Sequence, residues 1–227
     1  MNFLIRSLTS FLYVGLLLGS LYIDATLFTV VLFLIAIIAQ WELQKITNKK
    51  IILSYLFFPL TYVAVQVNLE YHLYLVGVAV VGCLGMLGFF SNSKQLRYSK
   101  AALYFLSLFQ ICIPLLLLAQ LGKSNPIYVL YFFGIIWLSD TGAYVIGSLF
   151  GKRKLAPSIS PNKTIEGSLG GVLVATAALL YAADIENFQY SWVLILVVTA
   201  ISGALGDLVQ SKIKRVCGVK DSGNILP

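Results

Sequence analysis

Long apolar runs separated by short polar loops dominate the hydrophobic pattern of this chain. Runs of about 18 or more apolar residues are long enough to cross a bilayer as helices. The predicted spans are approximately 4–23, 25–41, 51–67, 71–90, 100–121, 126–149, 167–183 and 190–210. Only Asp24 separates the first two spans, which predicts a tight helical hairpin. The expected fold class is therefore all-α: a polytopic membrane helical bundle with about eight transmembrane helices.

The composition agrees with a membrane protein. The mean hydropathy is +0.89. Charged residues make up 11% of the 227 residues, far below the ~25% of soluble domains. We expect one membrane domain over 1–227 with no soluble domain appended. Its hydrophobic N-terminal helices would cover 1–121, and its site-bearing C-terminal helices and loops would cover 126–227.

The sixteen Lys and Arg residues fall almost entirely in alternate loops. Only Lys123 lies on the opposite side of the predicted bundle, so the positive-inside rule predicts that both termini are cytoplasmic. The net charge of +7 does not indicate nucleic-acid binding. The topology already explains why the basic residues lie in short loops between spans.

One polar stretch between two apolar runs reads Ser-Pro-Asn-Lys-Thr-Ile-Glu-Gly, residues 160–167. Ser160 is a suitable N-cap and Pro161 a suitable first helical residue, so we expect a helix to begin here. The free N–H groups of a helix N-terminus, next to Lys163, would bind phosphate oxygens. Composition alone leaves open an ordinary basic membrane loop, because a basic cluster precedes the stretch: Lys152, Arg153 and Lys154.

Four acidic residues lie in or near the cytoplasmic half: Asp140, Glu166, Asp207 and Asp221. Asp140 lies well inside a predicted span, where an ionised carboxylate costs about 3 kcal/mol or more unless it is paired or hydrated. It should therefore face a wet cavity or a cation. Tyr144, four residues further on, shares its helical face. The alternative is a buried structural Asp that is hydrogen-bonded to a neighbouring helix.

The last predicted span carries a column of polar side chains at its cytoplasmic end. The residues that follow Asp207 on the same helical face are Ser211, Lys214 and Arg215. The combination of cation, carboxylate and hydroxyl is then repeated by Lys220, Asp221 and Ser222. That repeat is a weak signal, because Asp-Ser-Gly is also common in turns. Carboxylates near cations suit a divalent metal ion and the phosphates that it binds, which indicates a membrane-embedded, metal-assisted phosphoryl or nucleotidyl transferase.

Small residues form a stripe along the seventh predicted span: Gly167, Gly171, Ala175 and Ala178. Such spacing lets two helices approach closely. The stripe predicts tight helix packing, and it leaves open the formation of a homodimer.

Several motifs in one order resemble a known family, the integral-membrane phosphatidate cytidylyltransferases, also called CDP-diacylglycerol synthases. The motifs are Ser-Asp-Thr-Gly-Ala-Tyr at 139–144, Phe-Gly-Lys at 150–152 and the polar stretch at 160–167. Gly206-Asp207, the Ser-Lys-Ile-Lys-Arg of 211–215 and Lys220-Asp221 are similar to the start of that family's C-terminal signature. The resemblance is sharp over 134–227, and the N-terminal half is compatible with it.

The resemblance implies a reaction in phospholipid synthesis. A cytidylyl group would pass from CTP to phosphatidic acid, giving CDP-diacylglycerol and pyrophosphate. The implied cofactor is Mg²⁺, and a monovalent cation is left open. The implied partners are CTP, phosphatidic acid and membrane lipid. The implied location is the inner membrane of a bacterial cell, with the site facing the cytoplasm.

The resemblance also implies roles for residues of these motifs. The implied metal ligands are Asp207, Asp221, Asp140 and Glu166, although Glu166 could instead cap its helix. The implied catalytic residues are Asp207, Asp221, Lys214 and Arg215. The implied substrate-binding residues are Lys163, Thr164, Ser211, Lys220, Ser222 and Tyr144.

The chain departs from the family pattern after Ile225-Leu226-Pro227. The family signature normally continues with a Gly-His-Gly-Gly segment, an Asp-Arg-x-Asp cluster and a final membrane helix. The resemblance therefore implies a C-terminally truncated member that lacks acids of the expected catalytic centre. Two alternatives stay open: a catalytically inactive relative or membrane partner, and a related CTP-dependent lipid kinase.

Overall fold

The computed structural model describes residues 3–67, 82, 100–182 and 190–219. The chain divides into two compact units. One contains the described residues up to Pro126 together with those from Val216, and the other is Ile127–Arg215. The fourth predicted span, 71–90, lies outside the described residues except for Gly82.

The first unit is helical throughout the part that is described. Its helices are α1 (Phe3–Ile23), α2 (Ala25–Thr47), α3 (Phe57–Val67), α4 (Lys100–Leu106) and α5 (Ile113–Ser124). Asp24 starts α2, because its carboxylate accepts hydrogen bonds from the N–H groups of Thr26 and Leu27, at 2.7 and 3.1 Å. This cap explains how a single polar residue can separate two long helices.

A π-helical segment, Ser107–Cys112, joins α4 to α5 without a break in the helical rod. Pro114 is the second residue of α5, and a proline ring clashes with the carbonyl group four residues before it. The wider π turn accommodates this clash and keeps the chain helical. Lys100–Ser124 therefore remains one continuous apolar rod of 25 residues.

Bulky side chains fill the core of the first unit. The fully buried large residues include Phe28, Leu32, Leu103 and Leu116. The Phe28 ring packs against Gly122 of α5, where an added Cβ would lie 2.8 Å from the ring. One polar contact crosses this core, from Gln40 Nε2 to Cys112 Sγ at 3.0 Å.

The second unit contains the remaining elements: α6 (Pro126–Phe150), β1 (Lys154–Ala156), β2 (Ser160–Thr164), α7 (Ile165–Ala182) and α8 (Tyr190–Val216). Its apolar core joins the three helices through Ile135 of α6, Ala175 of α7 and Leu196 and Ala200 of α8. Gly218, with φ of +73°, follows the end of α8 in the left-handed conformation typical of a helix C-terminus.

Glycines bring the backbones of α6 and α7 into contact. A Cβ at Gly167 would lie 2.7 Å from the Ala143 carbonyl oxygen and 2.9 Å from Gly147 Cα. A Cβ at Gly171 would collide with the Ser139 carbonyl oxygen. Both glycines of the predicted stripe therefore serve helix packing inside the unit, and the homodimer stays a prediction.

The prediction of an all-α fold is wrong in one respect, because β1 and β2 form an antiparallel hairpin between α6 and α7. The register pairs Lys154 with Thr164 and Ala156 with Ser160. The prediction that Ser160-Pro161 begins a helix is wrong for the same reason. Proline is tolerated in so short a hairpin because its strand has a free edge.

The helix begins instead at Ile165, and Thr164 supplies its cap. The Thr164 hydroxyl accepts a hydrogen bond from the N–H of Gly167 at 3.1 Å. Ser and Thr are both favoured N-caps, so local preference could not distinguish Ser160 from Thr164. Pairing with β1 decided between them.

Within the described residues, four helices are long and apolar enough to cross a membrane: Ala25–Thr47, Lys100–Ser124, Pro126–Phe150 and Val193–Val216. Shorter apolar helices cover Phe11–Ile23, Ile52–Gln66 and Ile165–Tyr181. The chain is therefore an integral membrane protein with a mainly helical fold. The count of eight spans and the location of the termini stay predictions.

Candidate active site

A cavity of about 510 Å³ opens within the second unit. This volume falls in the range of roughly 300–1,000 Å³ that is typical of small-molecule sites. All three helices of the unit and the strand β2 line it. The lining residues are Ser139, Asp140, Ala143, Tyr144, Gly147, Ser148, Asn162, Lys163, Thr164, Ser168, Ala204 and Asp207.

One face of α6 forms a wall of this cavity. Asp140, Tyr144 and Ser148 are spaced four residues apart, so they lie on one side of the helix. The sequence predicted that Asp140 and Tyr144 share a face, and both line the cavity. Asp140 is exposed to the cavity rather than enclosed by neighbouring helices.

Asp207 faces the same cavity from α8, and it forms an ion pair with Lys163 of β2. Lys163 Nζ lies 2.5 Å from Asp207 Oδ2. The exposed fraction is 27% for the Lys163 side chain and 54% for the Asp207 side chain, so the pair is accessible to a ligand. Asp140 lines the same cavity as Lys163 and Asp207. The structure thus brings together three charged residues that the sequence singled out separately.

The start of α7 anchors the backbone directly after Lys163. Thr164 is buried, and its hydroxyl oxygen lies against the glycines of α6, 3.0 Å from a Cβ built at Gly147. Ser168 Oγ donates to the Thr164 carbonyl oxygen at 3.0 Å. Thr164 lines the cavity, but its hydroxyl is engaged as a helix cap, which leaves its predicted role in substrate binding as a prediction.

The Glu166 carboxylate binds Lys152 and Arg153 and does not line the cavity. Its Oε2 accepts hydrogen bonds from the N–H groups of Lys152 and Arg153, each at 3.1 Å, and its Oε1 accepts from Arg153 Nε at 2.9 Å. These contacts, the Arg153 side chain foremost, lower the pKa of Glu166 to about 2. Both carboxylate oxygens are therefore engaged, and Glu166 is not among the residues that line the cavity.

The polar column of α8 extends beyond the cavity. Ser211, Lys214 and Arg215 all lie on α8, as the sequence indicated, but they are not among the lining residues. Arg215 Nε donates a long hydrogen bond of 3.4 Å to the carbonyl oxygen of Ile159 in the hairpin loop. The remaining predicted site residues lie outside the described residues: Lys220, Asp221 and Ser222.

The sequence did not single out four polar residues that line the cavity: Ser139, Ser148, Asn162 and Ser168. Helical spacing from Asp140 would have found Ser148. Asn162 and Ser139 are direct neighbours of Lys163 and Asp140, but adjacency alone does not show which way a side chain points. Ser168 is identified only by the packing of α7 against α6.

Comparisons with known proteins match the sequence of this chain to a family. The profile of the cytidylyltransferase family matches residues 4–227. A phosphatidate cytidylyltransferase of Staphylococcus haemolyticus is 33% identical over 232 aligned positions, covering 98% of this chain and 89% of the relative. Proteins of the same name from Staphylococcus aureus and Staphylococcus epidermidis are 40% and 42% identical over 139 positions. Those alignments cover 60% of this chain and 54% of each relative.

Proposed function

Since the chain belongs to the cytidylyltransferase family and is a nucleotidyltransferase, we propose that it transfers the cytidylyl group of CTP to phosphatidic acid. The products are CDP-diacylglycerol and pyrophosphate. The observation that carries this proposal is the cavity in which Asp140, Lys163 and Asp207 meet. The relatives named above bear the name of this activity.

The donor set of the cavity fits Mg²⁺. Mg²⁺ prefers oxygen ligands, and it is usually bound through one or two carboxylates, several waters and the phosphates of a substrate. The cavity offers the carboxylates of Asp140 and Asp207, together with hydroxyl and amide oxygens of Ser139, Asn162 and Ser168. The described residues contain no group of three or more His, Cys, Asp or Glu side chains that could hold a metal ion. Asp140 and Asp207 would therefore hold Mg²⁺ together with substrate phosphates.

Charge gives a second reason to expect a divalent cation. With both carboxylates ionised, the charged residues that line the cavity sum to −1, because Lys163 offsets only one of them. A nucleoside triphosphate such as CTP carries several negative charges, and a cavity of net negative charge would repel it. Mg²⁺, when bound, would neutralise the carboxylates and the phosphates and polarise the reacting phosphate.

Lys163 has to change its partner when the nucleotide binds. In the structure its ammonium group neutralises Asp207. We propose that Lys163 moves to a phosphate oxygen of CTP, which frees Asp207 for the cation. Lysine suits this exchange because its side chain is flexible and its three donors rotate freely. The ion pair thus keeps both residues in place until the nucleotide arrives.

The chemical step requires little proton transfer. A phosphate oxygen of phosphatidic acid, already ionised at neutral pH, attacks the α-phosphorus of CTP. A new P–O–P linkage forms while the bond to pyrophosphate breaks. The contribution of the protein is to orient the two substrates and to neutralise charge. Lys163 performs the second task, and the Asp140–Tyr144 face of α6 borders the space for the first.

The basic loops support a cytoplasmic orientation of the site. Lys152, Arg153 and Lys154 lie next to the cavity-bearing hairpin, and basic loops remain on the cytoplasmic side of a membrane. We propose that the site faces the cytoplasm from the inner membrane of a bacterial cell. CTP is soluble and phosphatidic acid is membrane-bound, so a site at this surface reaches both substrates.

Two positions of radioactive label in CTP test the proposal. The purified protein is reconstituted with phosphatidic acid and Mg²⁺, and the lipid and aqueous products are separated. Label at the α-phosphorus should enter the lipid fraction as CDP-diacylglycerol, and label at the γ-phosphorus should appear as pyrophosphate. Transfer of γ-label to a lipid alcohol would indicate a kinase. Absence of both labels from lipid would support an inactive membrane partner.

A further inference from the structure

We infer that Glu166 is a positioning residue that holds the hairpin against the start of α7, so that Lys163 stands at the cavity. This inference rests on the proposed function for what Lys163 does there. It differs from the prediction that Glu166 binds the metal ion. The geometry of the residues between Gly151 and Gly167 supports it.

Four hydrogen bonds tie the two ends of the hairpin together. Three of them end on the Glu166 carboxylate, from the N–H of Lys152, the N–H of Arg153 and the Arg153 guanidinium. The fourth runs the other way, from the N–H of Ile165 to the Arg153 carbonyl oxygen, at 2.9 Å. Arg153 and Glu166 therefore form a clamp, which we call the hairpin clamp.

The hairpin clamp lies next to the residues that line the cavity. Lys163 and Thr164 immediately precede Ile165, and Lys154 pairs with Thr164 across the hairpin. Gly151 lies close to Thr164, because a Cβ at Gly151 would stand 2.6 Å from Thr164 Oγ1, so the two ends of the hairpin are tightly packed. A change in the hairpin clamp would therefore act on Lys163 through the adjoining residues Thr164 and Ile165.

The same geometry argues against a metal ligand. Two backbone N–H groups and the Arg153 guanidinium already use three of the roughly four acceptor sites of the Glu166 carboxylate, and Glu166 is not among the residues that line the cavity. The Arg153 side chain is 74% exposed, so its ion pair with Glu166 contributes little energy by attraction alone. Its effect is geometric, because the guanidinium and two N–H groups hold one carboxylate in one orientation.

The test compares three variants with the wild-type chain: Glu166→Gln, Arg153→Met and the double variant. Lys154→Met is the matched control, because it removes an exposed positive charge from the same hairpin without touching the clamp. Four quantities are measured for each: the unfolding temperature, the Kd of CTP without lipid, the ratio of kcat to KM, and the Mg²⁺ concentration at half-maximal rate.

We expect Glu166→Gln and Arg153→Met each to weaken CTP binding about tenfold, the loss typical of one hydrogen bond to a charged group. The double variant should be no worse than Glu166→Gln, because both changes open the same clamp. At saturating CTP, the half-maximal Mg²⁺ concentration should equal that of the wild type. Lys154→Met should bind CTP within about twofold of the wild type.

Two results would overturn the inference. A higher Mg²⁺ requirement in Glu166→Gln, with normal CTP binding in Arg153→Met, would make Glu166 a metal ligand. A lower unfolding temperature in both, with unchanged CTP binding, would limit the clamp to stability. CTP binding is measured without turnover. If the proposed cytidylyl transfer is wrong, the wild-type chain will form no CDP-diacylglycerol, and the CTP affinities of the variants will still test the clamp.

Discussion

Glycine contacts differ between the two units of this protein: Gly122 of the first unit makes room for the Phe28 side chain, whereas glycines of the second unit make room for backbone. In the first unit, an added Cβ at Gly15 or Gly19 of α1 meets none of the described atoms within 4 Å, and bulky residues such as Phe28 and Leu116 provide the packing. In the second unit, Gly167 and Gly171 bring α7 against the backbone of α6. Side-chain packing holds the first unit, and backbone contact sets the shape of the second.

One aspartate from each unit shows a second difference, in the partners of its carboxylate. The Asp24 carboxylate of the first unit accepts hydrogen bonds from the N–H groups of Thr26 and Leu27. The Thr26 side chain foremost, and then these N–H groups, lower the pKa of Asp24. Asp207 of the second unit has the Lys163 side chain as its partner and faces a cavity. The comparison shows that a carboxylate is available to a ligand only where backbone N–H groups do not already occupy its oxygens.

The sharpest test of this comparison exchanges each aspartate for asparagine. We expect Asp207→Asn to lower kcat by about 10²-fold or more, because the variant loses a carboxylate that would hold Mg²⁺ at the reacting phosphates. Asp24→Asn should keep kcat within about twofold, since Asn caps helices as well as Asp. Steady-state assays with circular dichroism as a folding control measure both. Equal kcat values of the two variants would show that Asp207 has no role in the reaction.

The next largest effect concerns side-chain packing in the first unit. Phe28→Ala should lower the free energy of unfolding by about 3 kcal/mol, because the ring is fully buried against Gly122. Phe11→Ala is the matched control, since Phe11 is exposed on α1 and should change stability little. Denaturation in detergent micelles measures both. A similar loss in the two variants would show that packing by volume does not hold this unit.

Backbone contact in the second unit predicts a smaller but more specific loss. Gly171→Ala should lower stability by about 2 kcal/mol, because a Cβ at Gly171 would meet the Ser139 carbonyl oxygen and the backbone N of Ala143. It should also raise the KM for CTP, since α6 carries Asp140. Gly206→Ala, next to Asp207, is the control, because its Cβ meets none of the described atoms within 4 Å. A harmless Gly171→Ala would contradict the close approach of α6 and α7.

The smallest expected effect is a pH dependence at the hairpin clamp. The pKa of Glu166 is lowered from 4.5 to about 2, chiefly by the Arg153 hydrogen bond. A lowered folded-state pKa stabilises the protein above pH 4.5, and this contribution is lost as the pH falls toward 2. The unfolding temperatures of wild type and Glu166→Gln should therefore differ at pH 6 and converge near pH 2. A constant difference across that range would contradict an ionised clamp.

Local pattern predicted the parts of the site that depend on one helix. The spacing of Asp140 and Tyr144 placed both on one face of α6, and the motif on α8 identified Asp207. The roles of these residues stay predictions. Local pattern failed at residues 160–164, because a Ser-Pro sequence suits either a helix start or an edge strand. Only pairing with Lys154–Ala156 selects the strand.

By itself, the sequence determined the membrane character, the helical class and the family, because apolar runs and motifs are read along one chain. The tertiary structure alone decided that Lys163 pairs with Asp207 and that Glu166 turns to Arg153. Each partner is brought to its place by chain folding: β2 to the end of α8, and the end of α6 to the start of α7. A carboxylate has no preferred partner in sequence, so its role depends on which donors the fold places beside it.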